Sequence, residues 1–222
     1  MKILCKVTSR ERPTELIKCI DSYIQLADNP NDLLWLFTFD DNDVSYNNQQ
    51  FIHLIHSKIY APIINFGISK SKISAINRDV NQLNVSWDIL VNISDDQLAE
   101  RKGWDSIIKN TMPEDLDASL WFNDGHQDRI NTMEIVGRKY YERFNYIYHY
   151  AYKSFFCDNE ATEVAIKLGK CIKSNDCIIK HYHYGWMPSG HMKKDAVYTN
   201  AELHWNHDKQ LFKERKAINY EL

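Results

Sequence analysis

The chain has 222 residues and a mass of 26.3 kDa, with 44% hydrophobic and 26% charged residues, the proportions of one soluble globular domain with a full core. Its formal net charge of -3 supplies no general attraction to nucleic acid or an anionic membrane, so polyanion binding needs a local patch. No apolar run reaches the roughly 20 residues of a membrane span, Lys6 interrupts the start too early for a secretory segment, and the default expectation is a cytoplasmic protein.

Residues 2–8 alternate as a first strand, and residues 14–27 place Leu16, Ile17, Ile20, Tyr23 and Ile24 on one helical face behind Pro13. The loop between them, Thr8-Ser9-Arg10-Glu11-Arg12-Pro13, lacks the glycines of a dinucleotide or P-loop fingerprint. Its two arginines could hold phosphate, though loop arginines are more often only solvated. Residues 33–39 form a continuous apolar run suited to a central parallel strand, and it ends at Asp40-Asp41-Asn42-Asp43. A helix through Phe51, Ile52, Leu54 and Ile55 follows, then a strand over 59–65 and a helix with Ile73, Ile76, Val80 and Leu83 on one face.

Residues 89–97 read Ile-Leu-Val-Asn-Ile-Ser-Asp-Asp-Gln, a fourth strand that stops on two adjacent carboxylates. Taken alone, Asp95 or Asp96 reads as a cap for the next element. The order βαβαβαβ changes that, because right-handed crossovers bring every parallel strand's carboxyl end to one edge, where open α/β sheets bind ligands. Two acid clusters on that edge indicate a site.

A helix from Trp104 to about Asn110 and a strand over 119–123 come next. Residues 133–156 are rich in tyrosine, with Tyr140, Tyr141, Tyr146, Tyr148, Tyr150 and Tyr152; a half-buried hairpin is expected there, with a sugar-stacking platform as the functional alternative. Cys157-Asp158-Asn159-Glu160 opens a helix closed by Gly169, where acids also suit the helix dipole. A last strand over 178–183 puts His181 and His183 on one face, and residues 199–218 form a polar helix clipped to the body by Leu203, Leu211 and Phe212. The five cysteines fit neither a disulfide framework nor a zinc ribbon.

Carboxylates are natural ligands for Mg²⁺ or Mn²⁺, which commonly keep waters and share substrate phosphate oxygens. Asp96, with Asp95 behind it, is suited to that task; Asp158 could act as a base, and His183 or His181 could complete a metal shell or touch phosphate.

The ordered set of Thr8-Ser9-Arg10-Glu11-Arg12-Pro13, Asp40-Asp41-Asn42-Asp43, Ala75-Ile76-Asn77, Ser94-Asp95-Asp96 and Asp158-Asn159-Glu160 resembles the GT-A glycosyltransferases, in particular the family 2-like inverting enzymes. The resemblance runs from about residue 2 to residue 183 and implies an α/β fold with an open, mainly parallel sheet. It also implies a domain over 1–198, with a nucleotide-sugar half at 1–110 and an acceptor half at 111–198, followed by a helical tail at 199–222. Asp96 would bind Mn²⁺ or Mg²⁺ together with His181 or His183, and Asp95 would lie near the ribose. One of Asp40, Asp41 and Asp43 would contact the nucleobase or ribose, Thr8, Arg10 and Arg12 would line the nucleotide pocket, and Lys72 would approach the diphosphate. Asp158 matches the family's catalytic base, with Glu160 as the alternate because Cys157 stands where the family carries a glutamate.

The resemblance therefore implies an inverting transfer of a sugar from a nucleotide-sugar donor, UDP-linked, to an acceptor that is a glycan, lipid-linked sugar, protein or modified nucleic acid. The competing readings are an inactive GT-A module that binds glycan or nucleotide, and a hydrolase using Asp95, Asp96, His181 and His183 around a metal; a nucleotidylyltransferase would require a glycine-rich loop after the first strand.

Overall fold

The first strand, β1 (Ile3–Thr8), is buried along its whole length, as its apolar and β-branched residues favour. The structure, a computed structural model, describes residues 1–186 and 194–222. From β1 the chain runs through α1 (Pro13–Leu26), β2 (Leu33–Asp40), α2 (Gln49–Lys58), β3 (Ile63–Gly67), α3 (Lys72–Asn77) and β4 (Ile89–Ser94). It continues through β5 (Gln97–Ala99), α4 (Trp104–Thr111), β6 (Ser119–Trp121), β7 (Ile135–Gly137), α5 (Arg138–Glu142), α6 (Cys157–Lys167), β8 (Cys171–Lys173) and β9 (Ile179–His181). Helices α7 (Ala196–Glu202) and α8 (Trp205–Ala217) complete the described elements.

Seven strands form one sheet in the order β3-β2-β1-β4-β7-β6-β8, and β5 pairs with β9 in a second, two-stranded sheet. Strands β1 to β4 are mutually parallel where they pair, whereas β7 runs antiparallel to both β4 and β6. Thr8 lies opposite Thr38 on one side and Ser94 on the other, so β1, β2 and β4 end level with one another. That register brings the Ser9–Arg12 loop, Asp40 and Asp95-Asp96 to one edge.

Alternation along β1 divides the core. Ile3, Cys5 and Val7 join the cluster that includes Leu16, Ile20, Trp35 and Trp104, while Leu4 joins the opposite one with Ile73, Ile76, Tyr141 and Tyr152. Lys6 faces the second side, fully buried, where its amine donates to Thr38 Oγ1; that hydroxyl in turn donates to Asp79 Oδ2 at 2.6 Å.

Several local expectations change. The strand expected from residue 59 begins at Ile63, because the Ile59 amide still closes α2 onto the Ile55 carbonyl. The amphipathic run through Leu83 breaks after Asn77: Arg78 is extended and Asp79 left-handed, while the Asn77 side chain bonds the backbone of Ile147 and Tyr148. The tyrosine-rich hairpin is instead β7 followed directly by α5 and a series of turns. Tyr140, Tyr141, Tyr148 and Tyr152 pack into the core, which removes them as a sugar platform; Tyr150, 73% exposed, is the one large apolar ring of the set left open.

The tail is two helices, and its expected boundary at 198 falls inside α7. Leu203 is 77% exposed and anchors nothing, whereas Leu211 and Phe212 do pack on the core. The stronger anchors are polar. Buried Asp208 accepts backbone N–H groups from Lys153, Ser154 and Phe155, and Arg215 is bound to Glu160. No helix among the described residues is long and apolar enough to cross a membrane.

Burial lowers the Lys6 pKa to about 7, opposed by Asp79, so between about 7 and its ordinary value of 10.5 the unfolded chain holds a proton that the folded chain does not. Stability contributed by this site therefore rises with pH across that window. Lys6→Met should flatten the rise: the wild-type minus variant unfolding free energy, from urea titrations at pH 7 and pH 9, is expected to increase. An unchanged difference contradicts the buried, neutral amine.

Candidate active site

The level ends of β1, β2 and β4 open onto a cleft of about 270 Å³ lined by the Thr8–Arg12 loop, Asp40, residues 69–72 at the start of α3, Ser94 to Asp96, Lys153, Ser154 and one side of α7. Each wall has a local cause. Ser71 caps α3 by accepting the Ser74 amide at 3.1 Å, which leaves Lys72 as the first helical residue facing the cleft. After β4, the Gln97 side chain accepts the Ser94 amide at 3.0 Å and fixes the turn that presents the two aspartates. Strand β9 then pairs Gln97 with His181, and the Tyr182 amide donates to the Asp96 carbonyl at 2.7 Å. This pairing puts an imidazole beside the acid pair.

Both aspartates are buried, and the strand β5 rather than a helix follows them, so the capping reading does not hold. Asp95 accepts the Ser9 hydroxyl and the Arg12 Nη1 at 3.0 Å. Asp96 Oδ2 accepts the Tyr198 hydroxyl at 2.8 Å and lies 3.4 Å from His181 Nε2. Burial and the neighbouring Asp96 charge raise the Asp95 pKa, against Arg12 and Ser9. Burial pushes Asp96 the same way, but His181, Lys72 and the Tyr198 hydroxyl outweigh it and hold that carboxyl well below the usual range. Asp96 is the more acidic of the pair.

The other residues singled out in the sequence divide between the cleft and its scaffold. Thr8 lines the cleft, and Arg10 reaches Asp40 at 2.6 Å. Arg12 is buried, pairs with Asp95, and makes bidentate bonds to Asp195 at 2.7 and 2.8 Å. Among the acids after β2, Asp40 lines the cleft and Asp41 is exposed outside it, whereas Asp43 accepts the Glu11 amide and both the amide and hydroxyl of Ser45. Asp43 thus braces the arginine loop from behind. Asp158, second residue of α6, is part-buried and is not among the residues lining the cleft; Lys72 and His181 act on it electrostatically, and burial raises its pKa.

Glu160 does not join this group. It accepts the Arg215 guanidinium at 2.8 to 3.0 Å and the Tyr152 hydroxyl at 2.8 Å, on the far side of α6. Two residues apart on a helix place side chains on nearly opposite faces, so with Glu160 held by Arg215 and Tyr152, Asp158 lies on a different face of α6. Of the two histidines, His181 faces Asp96; His183 packs its ring on Tyr184 and Tyr198 at 4.6 and 4.7 Å, and burial beside His181 lowers its pKa to about 4.

Asp195 and Tyr198 escaped the sequence reading. They lie just before the expected polar tail, carry no motif, and meet Arg12 and Asp96 only through tertiary contact. Ser9, Lys153, Ser154 and His204 join the cleft for the same reason.

The donor set can be tested against a divalent cation. Asp96 and His181 bring one oxygen and one nitrogen together, and among the described residues the buried Nδ1 of His181 has no hydrogen-bond partner. Among the described residues, no group of three histidine, cysteine or acidic side chains converges enough to hold an ion alone. The pair fits a hard cation that takes its remaining ligands from water and substrate phosphate.

No protein-family model and no curated protein sequence matches the chain. Solved structures do. The mannosyltransferase PcManGT from Pyrobaculum calidifontis, in complex with GDP-Man and Mn²⁺, aligns with TM-score 0.64 and 11% identity over 83% of this chain and 58% of that one. S. aureus TarS 1-349 in complex with UDP-GlcNAc gives TM-score 0.64 and 12% identity over 96% and 71% of the two chains. The catalytic domain of Drosophila β1,4-galactosyltransferase 7 with xylobiose gives 0.56 and 12% over 91% and 80%. The chain has the GT-A fold, and it spans a little over half the length of the mannosyltransferase.

Removing Arg12 strands a buried carboxylate. Arg12→Leu should lower unfolding free energy by about 3–5 kcal/mol, as loss of one partner of a buried pair does, and Arg12→Lys should recover little because an ammonium lacks the bidentate fork. Urea titration checks both; a loss under about 1 kcal/mol, the range of a surface pair, contradicts the assignment.

Proposed function

We propose that the chain is a metal-dependent glycosyltransferase that moves a sugar from a nucleotide-sugar donor, UDP-linked in the first instance, to an acceptor hydroxyl with inversion. The observation that carries this reading is that Asp96 and Lys72 line one cleft at the carboxyl edge of the parallel strands, with His181 3.4 Å from Asp96 and with Lys72 and His181 both close enough to act electrostatically on Asp158. The complexes of the similar structures with GDP-Man, Mn²⁺ and UDP-GlcNAc agree with it.

A divalent cation bound at Asp96 and His181 would supply positive charge to offset that on the departing diphosphate. The chain's own residues do the rest. Lys72, exposed at the first turn of α3, is placed to pair with phosphate oxygens, and the Thr8–Arg12 loop with Asp40 forms the nucleotide wall. Asp158 accepts the proton of the acceptor hydroxyl while that oxygen bonds to the anomeric carbon on the face opposite the diphosphate. The anomeric carbon–oxygen bond to phosphate breaks, the diphosphate leaves with the electron pair, and the configuration inverts. A base must be deprotonated to act, and burial raises the Asp158 pKa, so turnover is lost on acidification at a higher pH than for an ordinary aspartate.

An inactive GT-A binding module is the second reading, favoured by the Tyr198 hydroxyl already seated on Asp96. Two variants separate the readings. In thermal-shift measurements with UDP, stabilisation by Mn²⁺ is expected for wild type and lost in Asp96→Ala; metal-independent binding contradicts the transferase. Asp158→Asn should keep nucleotide binding and lose about 10²- to 10⁴-fold in turnover; full turnover removes the base assignment.

A further inference from the structure

One wall of the proposed donor site is α7, and what holds α7 in place is the site itself. Of its seven residues only Tyr198 is buried; Ala196, Thr199 and Asn200 are exposed. A helix this short has little stability of its own, so its position depends on a few attachments. Asp195, which caps it, grips the Arg12 guanidinium with both carboxylate oxygens, and the Tyr198 hydroxyl donates to Asp96 Oδ2. The Tyr198 ring lies 4.0 Å over the Arg12 guanidinium and edge-on to His183. Glu202 accepts the Tyr184 hydroxyl and the Lys194 ammonium, and the Tyr184 ring packs 4.6 Å from that of Tyr198.

These contacts imitate a ligand. A carboxylate bound bidentately to arginine has the geometry by which arginine holds a phosphate. A hydroxyl donating to Asp96 Oδ2 occupies a lone pair that a cation would otherwise use. The same short helix therefore places an anion on the site's buried arginine and a positive hydrogen on its buried aspartate. A nucleoside diphosphate with its cation would bring the same two charges to the same two groups.

We propose that α7 is an intramolecular competitor of the donor: with α7 docked, Tyr198 and Asp195 cover Asp96 and Arg12, and binding of a divalent cation with a nucleoside diphosphate requires α7 to release them. The proposal rests on the donor-site reading above and adds its regulation. A site competent only when α7 is undocked has an apparent affinity reduced by the fraction of time it is open. Weakening α7 therefore strengthens binding, the opposite of what loss of a ligand-contacting group does.

The test uses the full chain with Mn²⁺ as probe, in the presence of UDP, with free Mn²⁺ followed by its paramagnetic resonance signal. Tyr198→Phe keeps the ring against Arg12 and His183 and deletes only the hydroxyl, so the fold is retained. It should lower the apparent Kd for Mn²⁺ by about tenfold or more, the scale of a hydrogen bond to a charged group, and Asp195→Asn should shift it in the same direction. In wild type, hydrogen exchange of the α7 amides should accelerate when Mn²⁺ and UDP are added. Equal or weaker Mn²⁺ binding by Tyr198→Phe, or slower α7 exchange on adding the ligands, overturns the competition and leaves the transferase reading standing. If neither wild type nor variants bind Mn²⁺ with UDP, the transferase reading falls and the competition falls with it.

Discussion

The buried guanidinium of Arg12 joins three parts of the chain that are distant in sequence: its own loop after β1, Asp95 at the end of β4, and Asp195 before α7. An arginine so enclosed has to find anions, because an unpaired buried charge costs several kcal/mol. Two carboxylates and the face of Tyr198 meet that demand here. The arrangement fixes which aspartate does what. Asp95 is committed to Arg12 and Ser9, which leaves Asp96 as the acid turned toward His181 and the cleft. The proposed donor site thus inherits its polarity from a pairing made for burial.

Elsewhere the same economy of paired buried charge builds the frame. Asp208 gathers three successive backbone amides and pins the turn before α6, and Arg215 with Glu160 ties α8 to that helix. These contacts set the position from which Asp158 meets Lys72 and His181. The tail, polar in sequence, is therefore part of what positions the proposed base. Its hold does not come from an apolar stripe: Leu203 points to solvent, and α8 buries an aspartate and an arginine instead.

Much of the frame was legible because it is local. Apolar runs mark β1, β2 and β4, and parallel order alone predicts that the acid ends of β2 and β4 share an edge, as the level register of Thr38 and Ser94 with Thr8 bears out. The tyrosine-rich stretch was misread because short turns and a five-residue helix leave no clear period, and Tyr140 and Tyr141 are adjacent on that helix rather than alternating on a strand. Glu160 looked equivalent to Asp158 in a motif, yet helical geometry separates them by half a turn and Arg215, 55 residues away, claims it. Asp195 and Tyr198 carry no local signal at all. Their significance comes only from the partners they meet across the fold.

The fold, the acid pair and the cleft together make one central claim, that Asp96 with His181 is the cation-bearing edge of a nucleotide-diphosphate site. Anomalous diffraction at the manganese edge, from crystals grown with Mn²⁺ and UDP, tests it most directly. The account predicts a single strong peak bonded to the Asp96 carboxylate, with the UDP phosphates completing its shell on the side of Lys72. A peak at another carboxylate, or UDP bound outside the cleft, contradicts it.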